Sequence, residues 1–541
     1  MTPPLPDHTP VLVSGGGPVG LALAVELGMR GVDCLVVEPR LHPTRLRPRA
    51  KTLNTRTLEH VRRWGLVDRL RAVAPLPTSW SQDVSFCTTF LGEEITRFSG
   101  VLGLGTEEVS PELGQQMPQY VLEELLREVV AELPAVDLRL GWRVVGIRPG
   151  PGPVAVQIAA ATGEMSETLA EYVVGADGAR SVVRTQIGAA YEGSQALRPN
   201  TGVVFRCDQL AQAASHRPAV QTWLLNKETP GMMGPVDRDG LWWLIAFGVD
   251  GTSEQLDPRR LVHGAIGEHL PVEVVSTDPW TARMELADRC QAGRVFLVGD
   301  AAHLNPPFGG HGLNTGIGDA VDLGWKLAAT LEGWAGPGML DSYEAERRPL
   351  HRRVIDEAAS NMATLAPELL RDDLDSSGSQ GRSARRRAAL HIERTKSAEY
   401  FSLDLVLGHR YDGSPIIPSS GRRGGPWQTW AEPGRRLPHL WIAPGVSILD
   451  LVGDDHVVLA TDAAAAAGVS RQADAAGLPV QVALEPETLR RLGAEVVVVR
   501  PDQVVAWCAD APPEDPGDVA DPGDVEDVAD VMATLSGHGG R

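Results

Sequence analysis

A strand–turn–helix–strand pattern at the start of the chain constrains its fold more than any other feature. The runs PVLVS and CLVVE are typical of short buried strands, and VGLALAVELGMRG between them has helical spacing and ends in glycine. Gly15, Gly17 and Gly20 form G-x-G-x-x-G in the first turn, and Glu38 ends the second strand. In such a βαβ unit the glycine backbone, which carries no side chains, approaches a pyrophosphate at the helix N-terminus. The acidic side chain accepts a hydrogen bond from a ribose hydroxyl. The pattern predicts a dinucleotide site, and the acid at position 38 favours FAD or NAD over NADP there.

Two further strand ends carry acid and glycine residues. Asp177 and Gly178 follow an apolar run in VVGADGARSVVR, and Asp300 follows another in RVFLVGDAAHLNPPFGGHGLNTGIGDA. The second segment places prolines and glycines where a helix should begin, which would leave backbone N–H groups and a helix dipole to face a ligand. Three such junctions suit one long ligand better than a short one.

Charge and composition restrict the class of partner. The formal net charge of −20 argues against nucleic acid or an anionic membrane surface, so a small, largely apolar partner fits better. The five cysteines are scattered without a C-x-x-C pair, which predicts neither a disulfide framework nor a cysteine metal site. We find no secretion signal and no long apolar span, and therefore expect a cytoplasmic protein without a membrane segment.

The rest of the chain is predicted to form further units. Several β-patterned runs between residues 80 and 290 suggest an inserted, mainly antiparallel sheet that covers the ligand. Residues 371–387 are polar and rich in glycine, serine and charge, as in a linker. A second unit with strands such as EVVVVRP begins near residue 400, and an acidic near-repeat, PPEDPGDVADPGDVEDVAD, follows without predicted structure.

These motifs resemble those of the class A flavoprotein monooxygenases of the p-hydroxybenzoate and phenol hydroxylase type. GGGPVG, GADGARSVVR and VFLVGDAAHLNPPFGGHGLNTGIGDAVDLGWKLA are similar to three family motifs in family order, and LDSYEAERRP resembles the segment that follows. The resemblance covers residues 10–365. Residues 400–510 resemble the thioredoxin-like C-terminal domain of the aromatic-polyketide hydroxylase branch, here without C-x-x-C. We expect packing or dimerisation from that domain, and hence a monomer or a homodimer.

The resemblance implies an α/β fold. It consists of a Rossmann-like FAD-binding domain, an inserted, mainly antiparallel β-sheet substrate domain, and a C-terminal thioredoxin-like α/β domain. The expected boundaries are 1–180 and 280–370 for the FAD-binding domain (with 75–115 contributing to the substrate region), 181–279 for the substrate domain, 371–398 for a linker and 399–541 for the thioredoxin-like domain with its acidic tail.

The resemblance also implies which residues hold a non-covalent FAD. Glu38 would bind the ribose, Arg47 and Arg49 would lie beside the pyrophosphate, and Leu313 and Asn314 would approach the isoalloxazine through backbone groups. The full implied set is Gly15, Gly17, Pro18, Val19, Gly20, Glu38, Arg47, Arg49, Gln119, Asp177, Asp300, Gly312, Leu313 and Asn314. For Gln119, a polar residue that simply starts a helix is nearly as good an interpretation.

The chemistry of this family is that of its flavin. A hydride from transiently bound NADPH or NADH reduces FAD, O₂ adds at the flavin C4a position, and the resulting hydroperoxide gives one oxygen to an electron-rich substrate. Leu313, Asn314 and His311 are the implied catalytic residues, although His311 is equally well interpreted as structural. Arg180 would assist the reduced nicotinamide, and His303 is interpreted as a structural hydrogen bonder. No metal ligands are expected.

The implied substrate is a flat polycyclic aromatic of the polyketide type, as in antibiotic biosynthesis. Candidate contacts, each by itself more often a core residue, are Arg206, Trp223, Met232, Met233, Trp243, Pro307 and Phe308. In phenol hydroxylases an aspartate that activates the phenol follows the alanine of the arginine-rich segment, whereas this chain has Lys51 there. That departure argues against direct activation of a phenol by this position.

We interpret the chain as an FAD- and NAD(P)H-dependent monooxygenase, in the first place a hydroxylase. A Baeyer–Villiger or epoxidising monooxygenase on the same scaffold would start from the same hydroperoxide, and the sequence leaves this alternative open. A flavin-binding partner protein without turnover is an alternative of a different class, against which the intact motifs argue.

Overall fold

The computed structural model describes residues 4–46, 51–106, 108–194, 198–253, 256–363, 372–418, 427, 429–510 and 528–539. Over these ranges, none of the helices combines the length and the apolar character that a bilayer crossing needs.

Strands and helices alternate along the chain. Up to residue 186 they are β1 (His8–Ser14), α1 (Pro18–Met29), β2 (Cys34–Glu38), β3 (Thr52–Leu53), α2 (Thr55–Arg63), α3 (Val67–Val73), β4 (Val84–Cys87), β5 (Glu94–Phe98), β6 (Gln115–Gln116), α4 (Gln119–Glu132), β7 (Val136–Leu140), β8 (Trp142–Arg148), β9 (Val154–Ala160), β10 (Met165–Gly175) and α5 (Val182–Gln186). The middle part contains β11 (Tyr191–Ser194), β12 (Pro199–Arg206), α6 (Asp208–His216), β13 (Gln221–Leu224), β14 (Gly231–Pro235), β15 (Leu241–Phe247), α7 (Pro258–Ile266), β16 (Glu273–Thr281), β17 (Met284–Ala287), β18 (Gln291–Ala292), β19 (Val295–Leu297), β20 (His303–Leu304), α8 (His311–Glu332) and α9 (Gly338–Ala363). The last part contains α10 (Gly378–Tyr400), α11 (Leu403–Val406), β21 (Trp441–Ala443), β22 (Val446–Ser447), β23 (His456–Ala460), α12 (Ala463–Ala475), β24 (Val480–Leu484), α13 (Pro486–Arg491), β25 (Ala494–Val499), β26 (Val505–Asp510) and α14 (Val528–Leu535).

The first sheet is a Rossmann-like layer built around parallel strands. β19, β10, β1, β2 and β7 are neighbours in that order and run parallel, and β18, β9 and β8 complete eight strands through antiparallel pairs. The residues of β2 are all buried, as expected for a parallel strand covered on both faces. Because parallel strands end at one edge of a sheet, the turns after β1, β10 and β19 meet there.

The second sheet is mainly antiparallel and has the order β16-β12-β15-β14-β13-β4-β5. β4 and β5 precede the inserted segment in the chain, and β4 joins the sheet through a parallel pair with β13. One face carries an aromatic cluster that includes Phe86, Trp223 and Phe308. The other carries Phe205 and Trp242 in a separate core with α6 and α7. The predicted α/β fold with an inserted sheet is thus confirmed.

The segment predicted as a linker, 371–398, is instead largely helical. Helix α10 begins at Gly378, and its residues Ala384, Ala388 and Ile392 are buried in the aromatic cluster of the second sheet. The arginines that suggest a linker occupy the remaining faces of an amphipathic helix, where they have good helical propensity. The linker assignment is therefore corrected for the part of this segment that the structure describes.

The C-terminal unit has a thioredoxin-like sheet. The strand order is β24-β23-β25-β26, with β23 and β24 parallel and the other neighbours antiparallel. α14 packs against α12 beside it, whereas most of the predicted acidic near-repeat lies in residues 511–527, outside the described residues. Buried ion pairs connect the unit to the first domain: Arg500 contacts Glu346 at 2.7 Å and Asp322 at 3.0 Å.

Candidate active site

The glycines of the first turn have two different roles. Gly15 has a positive φ of 109°, and a Cβ there would lie 2.4 Å from the carbonyl oxygen of Ala176. A Cβ on Gly20 would lie 2.0 Å from the Gly15 carbonyl oxygen, so these two glycines permit close packing of turn, helix and sheet. At Gly17 no described atom lies within 4 Å of the corresponding position. Gly17, Pro18 and Val19 instead face a cavity, together with Gly15.

Glu38, at the end of β2, is held in a fixed orientation beside this turn. Its Oε2 accepts a hydrogen bond from the Gly16 backbone N–H at 2.9 Å. Its Oε1 accepts from the backbone N–H of Arg40 at 2.9 Å and from the Arg40 Nε at 2.7 Å. The carboxylate is buried and lines the same cavity, as a ribose-binding acid would.

Asp177 follows β10 and presents one satisfied and one unsatisfied oxygen. Oδ2 accepts from the backbone N–H groups of Val182 at 2.8 Å and Val183 at 3.2 Å. Oδ1 is buried and has no hydrogen-bond partner within the described part of the chain. Burial raises the pKa of the Asp177 carboxyl. Asp177 and Arg180 both line the cavity, which places the turn after β10 in its wall.

The third corner is the start of helix α8. Gly309 and Gly310 have φ values of 81° and 68°, and no described side chain caps the helix. The first-turn N–H groups of His311, Gly312 and Leu313 therefore have no acceptor within the helical pattern, and the positive end of the helix dipole coincides with them. All three residues line the cavity, as does Asp300 after β19.

His311 is buried at this corner. A Cβ on Gly309 would lie 2.3 Å from the His311 Nε2, so the glycine makes room for the imidazole. That Nε2 lacks a hydrogen-bond partner among the described residues. Burial lowers the pKa of His311 to about 4, which leaves the ring neutral at neutral pH.

Asn314 has a positioning role through its side chain. Its Oδ1 accepts from the Asn54 backbone N–H at 2.9 Å and from the Thr57 Oγ1 at 2.7 Å. Its Nδ2 donates to the carbonyl oxygens of Thr52 at 2.9 Å and Gly310 at 2.6 Å. The amide thereby attaches the start of α8 to the start of α2, and Asn314 is not in the wall of the cavity that holds His311 and Leu313.

One continuous cavity of about 700 Å³ connects these corners with the second sheet. Gln119 lines it, as do the predicted substrate contacts Met232, Trp243, Pro307 and Phe308. Glu399 and Tyr400, at the end of α10, also line it. The sequence interpretation missed these two because it placed them at the start of the C-terminal domain, 399–541, and assigned most of α10 to a linker, 371–398. The spacing of Ala384, Ala388 and Ile392 is the signal that could have revealed the helix.

Three other predicted contacts lie elsewhere, and their assignments are corrected. Arg206 is exposed at the end of β12, and Met233 is buried in the core on the far face of the sheet. Trp223 is buried between Phe86 and Phe308, with ring centroids 5.7 and 6.0 Å away, and its Nε1 donates to the Tyr400 hydroxyl. None of the three is in the cavity wall. Arg47 and Arg49 lie outside the described residues.

A cluster of His303, Asp319 and His351 has the composition of a metal site. Asp319 accepts from the His303 Nε2 at 3.1 Å, the His351 Nε2 at 2.7 Å and the Arg347 Nε at 2.8 Å. The positively charged guanidinium of Arg347 on the shared carboxylate would repel a metal cation, and the hydrogen-bond donors already satisfy both oxygens of Asp319. The cluster is better explained as a buried hydrogen-bond network, which agrees with the structural interpretation of His303.

The residues of the cavity fit FAD. The open space at Gly17 can accept a pyrophosphate, and the Glu38 carboxylate is placed to bind hydroxyl groups. The uncapped N-terminus of α8 suits an electron-rich ring system. The three corners also lie along one cavity, as a long ligand requires.

Comparisons with known proteins agree with this arrangement. A family described as FAD binding domain matches residues 8–358, and one described as aromatic-ring hydroxylase, C-terminal, matches residues 431–533. A 4-methyl-5-nitrocatechol 5-monooxygenase from a Burkholderia species is 33% identical over 568 residues, covering 95% of this chain and 97% of that protein. A putative polyketide hydroxylase from Streptomyces halstedii is 32% identical, covering 93% and 94%.

A solved structure also matches over nearly the whole chain. The rebeccamycin biosynthetic enzyme RebC with reduced flavin is 34% identical and has a TM-score of 0.88, with 99% of this chain and 100% of that chain covered. Family, relatives and fold agree with the assignment of the cavity to FAD, and the chain belongs to the class A flavoprotein monooxygenases, in their aromatic and polyketide hydroxylase branch.

Proposed function

We propose that the protein uses NADPH or NADH and O₂ to insert one oxygen atom into a polycyclic aromatic substrate of the polyketide type, most simply as a hydroxyl group. The observation that carries this proposal is the continuity of the cavity. The same space is bordered by Gly17 and Asp177 at one end and by the aromatic side chains of Trp243 and Phe308 at the other.

The residues of the cavity have separable tasks. Bound FAD supplies the redox and oxygen chemistry. The N–H groups of Gly312 and Leu313, with the α8 dipole, are placed to stabilise negative charge on a ligand in the cavity. His311 contributes a neutral ring and therefore does not add a cation at neutral pH. Apolar side chains such as Met232 and Ile245 exclude water from the sheet end.

Two observations support a flat aromatic substrate. The wall at the sheet end contains an indole and a phenyl ring, Trp243 and Phe308, which suit the face or edge of a polycyclic system. Relatives of similar length carry the names of a nitrocatechol monooxygenase and a polyketide hydroxylase, which are both enzymes for aromatic compounds.

The test is to mix the purified yellow protein with NADPH or NADH and a series of aromatic polyketides. Nicotinamide oxidation, oxygen uptake and product mass are measured together. We expect an aromatic polyketide to stimulate both consumption rates and to gain one oxygen with its rings intact. Ring expansion or cleavage would instead indicate Baeyer–Villiger chemistry. Flavin binding without stimulation by any compound would favour a role as a flavin-binding partner.

A further inference from the structure

Lys396 and Glu399 form a buried ion pair at the end of α10. The Lys396 Nζ lies 2.8 Å from the Glu399 Oε2, and both side chains are almost completely buried. Lys396 also donates to the carbonyl oxygen of Asn361, in the last turn of α9, at 2.8 Å. The ammonium lies 4.9 Å from the centroid of the Trp223 ring, a distance typical of a cation–π contact. The pair therefore joins the ends of two helices beside the aromatic cluster of the second sheet.

The other oxygen of Glu399 contacts the start of a third helix. Its Oε1 accepts from the Gly309 backbone N–H at 3.2 Å. Gly309 and Gly310 are consecutive residues with positive φ, immediately before α8. Because glycine adopts left-handed and right-handed conformations about equally well, this turn depends on its hydrogen bonds for a fixed orientation. Glu399 is thus placed to hold the turn from which α8 begins.

Two further hydrogen bonds fix the same turn. The Gly310 N–H donates to the Pro307 carbonyl oxygen at 3.1 Å, and the Gly310 carbonyl oxygen accepts from the Asn314 Nδ2 at 2.6 Å. Both partners belong to the segment 307–314 itself, whereas Glu399 is 90 residues from Gly309 in the sequence. Glu399 therefore supplies the contact that relates the turn to α10.

Lys396 acts on the turn through Glu399. Burial raises the pKa of the Glu399 carboxyl, and the Lys396 ammonium opposes this shift. The ammonium thereby favours the carboxylate, which accepts an N–H more strongly than the neutral acid does. A buried ion pair generally adds little stability over apolar side chains of similar volume. The effect of this pair on the turn can therefore be tested apart from its effect on folding.

We propose that Lys396 and Glu399 are positioning residues for the flavin. They hold the Gly309–Gly310 turn so that the first N–H groups of α8 point at negative charge in the cavity. This inference rests on the proposed function. No bond to the pair is made or broken, and neither side chain has to touch a ligand. Reduced flavin is more electron-rich than oxidised flavin, so correctly oriented N–H groups favour the reduced form.

The experiment compares two double variants of the FAD-loaded protein. Lys396→Met/Glu399→Met and Lys396→Met/Glu399→Gln both replace the ion pair by neutral side chains of similar length, but only the second keeps an oxygen acceptor for the Gly309 N–H. The midpoint potential of the bound flavin is measured without substrate, against reference dyes. We expect the double-methionine variant to favour oxidised flavin at least ~10-fold, a shift of about −30 mV for a two-electron couple. The glutamine variant should stay close to the wild-type potential.

A second measurement and two single variants complete the test. Hydrogen exchange of the segment 304–316, measured by mass spectrometry, should be faster in the double-methionine variant than in the glutamine variant. Glu399→Asp keeps both charges, but its shorter side chain cannot reach Lys396 and Gly309 together, so part of the shift in potential should appear. Glu393→Ala, at an exposed position of the same helix outside the cavity wall, should change neither readout. Circular dichroism and flavin absorbance verify folding and FAD retention.

Equal potentials in the two double variants, or a larger shift in the glutamine variant, would overturn the inference. Unchanged exchange of the α8 turn in the double-methionine variant would do the same. If that variant does not fold, Glu399→Asp decides, and a wild-type potential and exchange rate there would overturn the inference. The potential is measured without substrate, so the proposed function is judged separately, by stimulation of nicotinamide oxidation in the wild-type protein.

Discussion

Arg500 of the C-terminal unit contacts Glu346 of α9 with its Nη1 2.7 Å from the carboxylate Oε1, and both side chains are almost completely buried. Lys326 reaches the other oxygen of the same carboxylate at 2.7 Å. The two domains therefore share one buried set of charges. Without Arg500, the two carboxylates Glu346 and Asp322 would share Lys326 as their one remaining partner cation among the described residues.

Arg500→Met is expected to destabilise the protein by about 3–5 kcal/mol, because Glu346 and Asp322 would remain buried without the guanidinium. Chemical denaturation followed by circular dichroism measures the loss. The control is Arg148→Met, which removes an exposed 2.8 Å pair with Glu167 and should cost less than ~1 kcal/mol. Similar losses in the two variants would contradict a structural role for the buried cluster.

Gly17→Val is expected to abolish FAD retention while the protein still folds. No described atom lies within 4 Å of a Cβ at this position, so the side chain fits the protein but occupies the space assigned to the phosphates. Flavin absorbance after gel filtration measures retention, and circular dichroism measures folding. Gly20→Val is the contrasting variant, because its Cβ would collide with the Gly15 carbonyl and should impair folding itself. A yellow, folded Gly17→Val protein would refute the placement of the pyrophosphate.

Glu38→Ala is expected to weaken FAD binding by about 1.5–3 kcal/mol, the range for hydrogen bonds to a charged group. The loss includes the support that Glu38 gives to the Gly16 N–H and to Arg40. The FAD dissociation constant of the reconstituted apoprotein, measured by quenching of flavin fluorescence, tests this. Glu38→Gln should lose less, because the amide keeps one oxygen acceptor. Unchanged binding in Glu38→Ala would exclude a ribose contact.

His311 is expected to contribute to acid lability. Its pKa in the folded state is about 4, below its ordinary value of 6.5, so the unfolded chain binds the proton first as the pH falls. The free energy of unfolding should therefore decrease between pH 6.5 and 4, by about 3 kcal/mol from this residue. Denaturation of the wild type and of His311→Asn across this range measures the part of the decrease that His311 causes. The decrease should be smaller in the variant. Parallel pH profiles would show that His311 is accessible to protons in the folded state.

The first dinucleotide corner could be predicted from sequence because strand, turn and helix are adjacent in the chain and Gly15, Gly20 and Glu38 act within one βαβ unit. The convergence of Asp177 and His311 on the same cavity is expected from the apolar strand that precedes each segment and from the motif resemblance, although their distance in space depends on sheet order. The wrong assignment of Trp223 has a different cause. Its direction depends on the partners Phe86 and Phe308, which come from distant parts of the chain.

Helix α10 was missed because the segment contains many arginines and few apolar residues, so that its overall composition resembles that of a linker. The side chains of α10 that contact the aromatic cluster are the small or apolar ones at 384, 388 and 392, and Tyr400 at the end of the helix. A polar segment with a narrow apolar stripe forms a stable helix only if the stripe can pack against another apolar surface. Here β5 and its neighbours supply that surface.

The C-terminal end of α10 joins parts of the chain that are distant in sequence. Glu399 accepts from the Gly309 N–H, and the Tyr400 hydroxyl accepts from Trp223, so a segment after the FAD-binding region completes a chamber built mostly before it. Chimaeras between relatives that exchange the second sheet alone would combine walls of different origin. Transfer of substrate preference should therefore require a crossover point beyond residue 400, so that α10 and the second sheet come from the same parent protein.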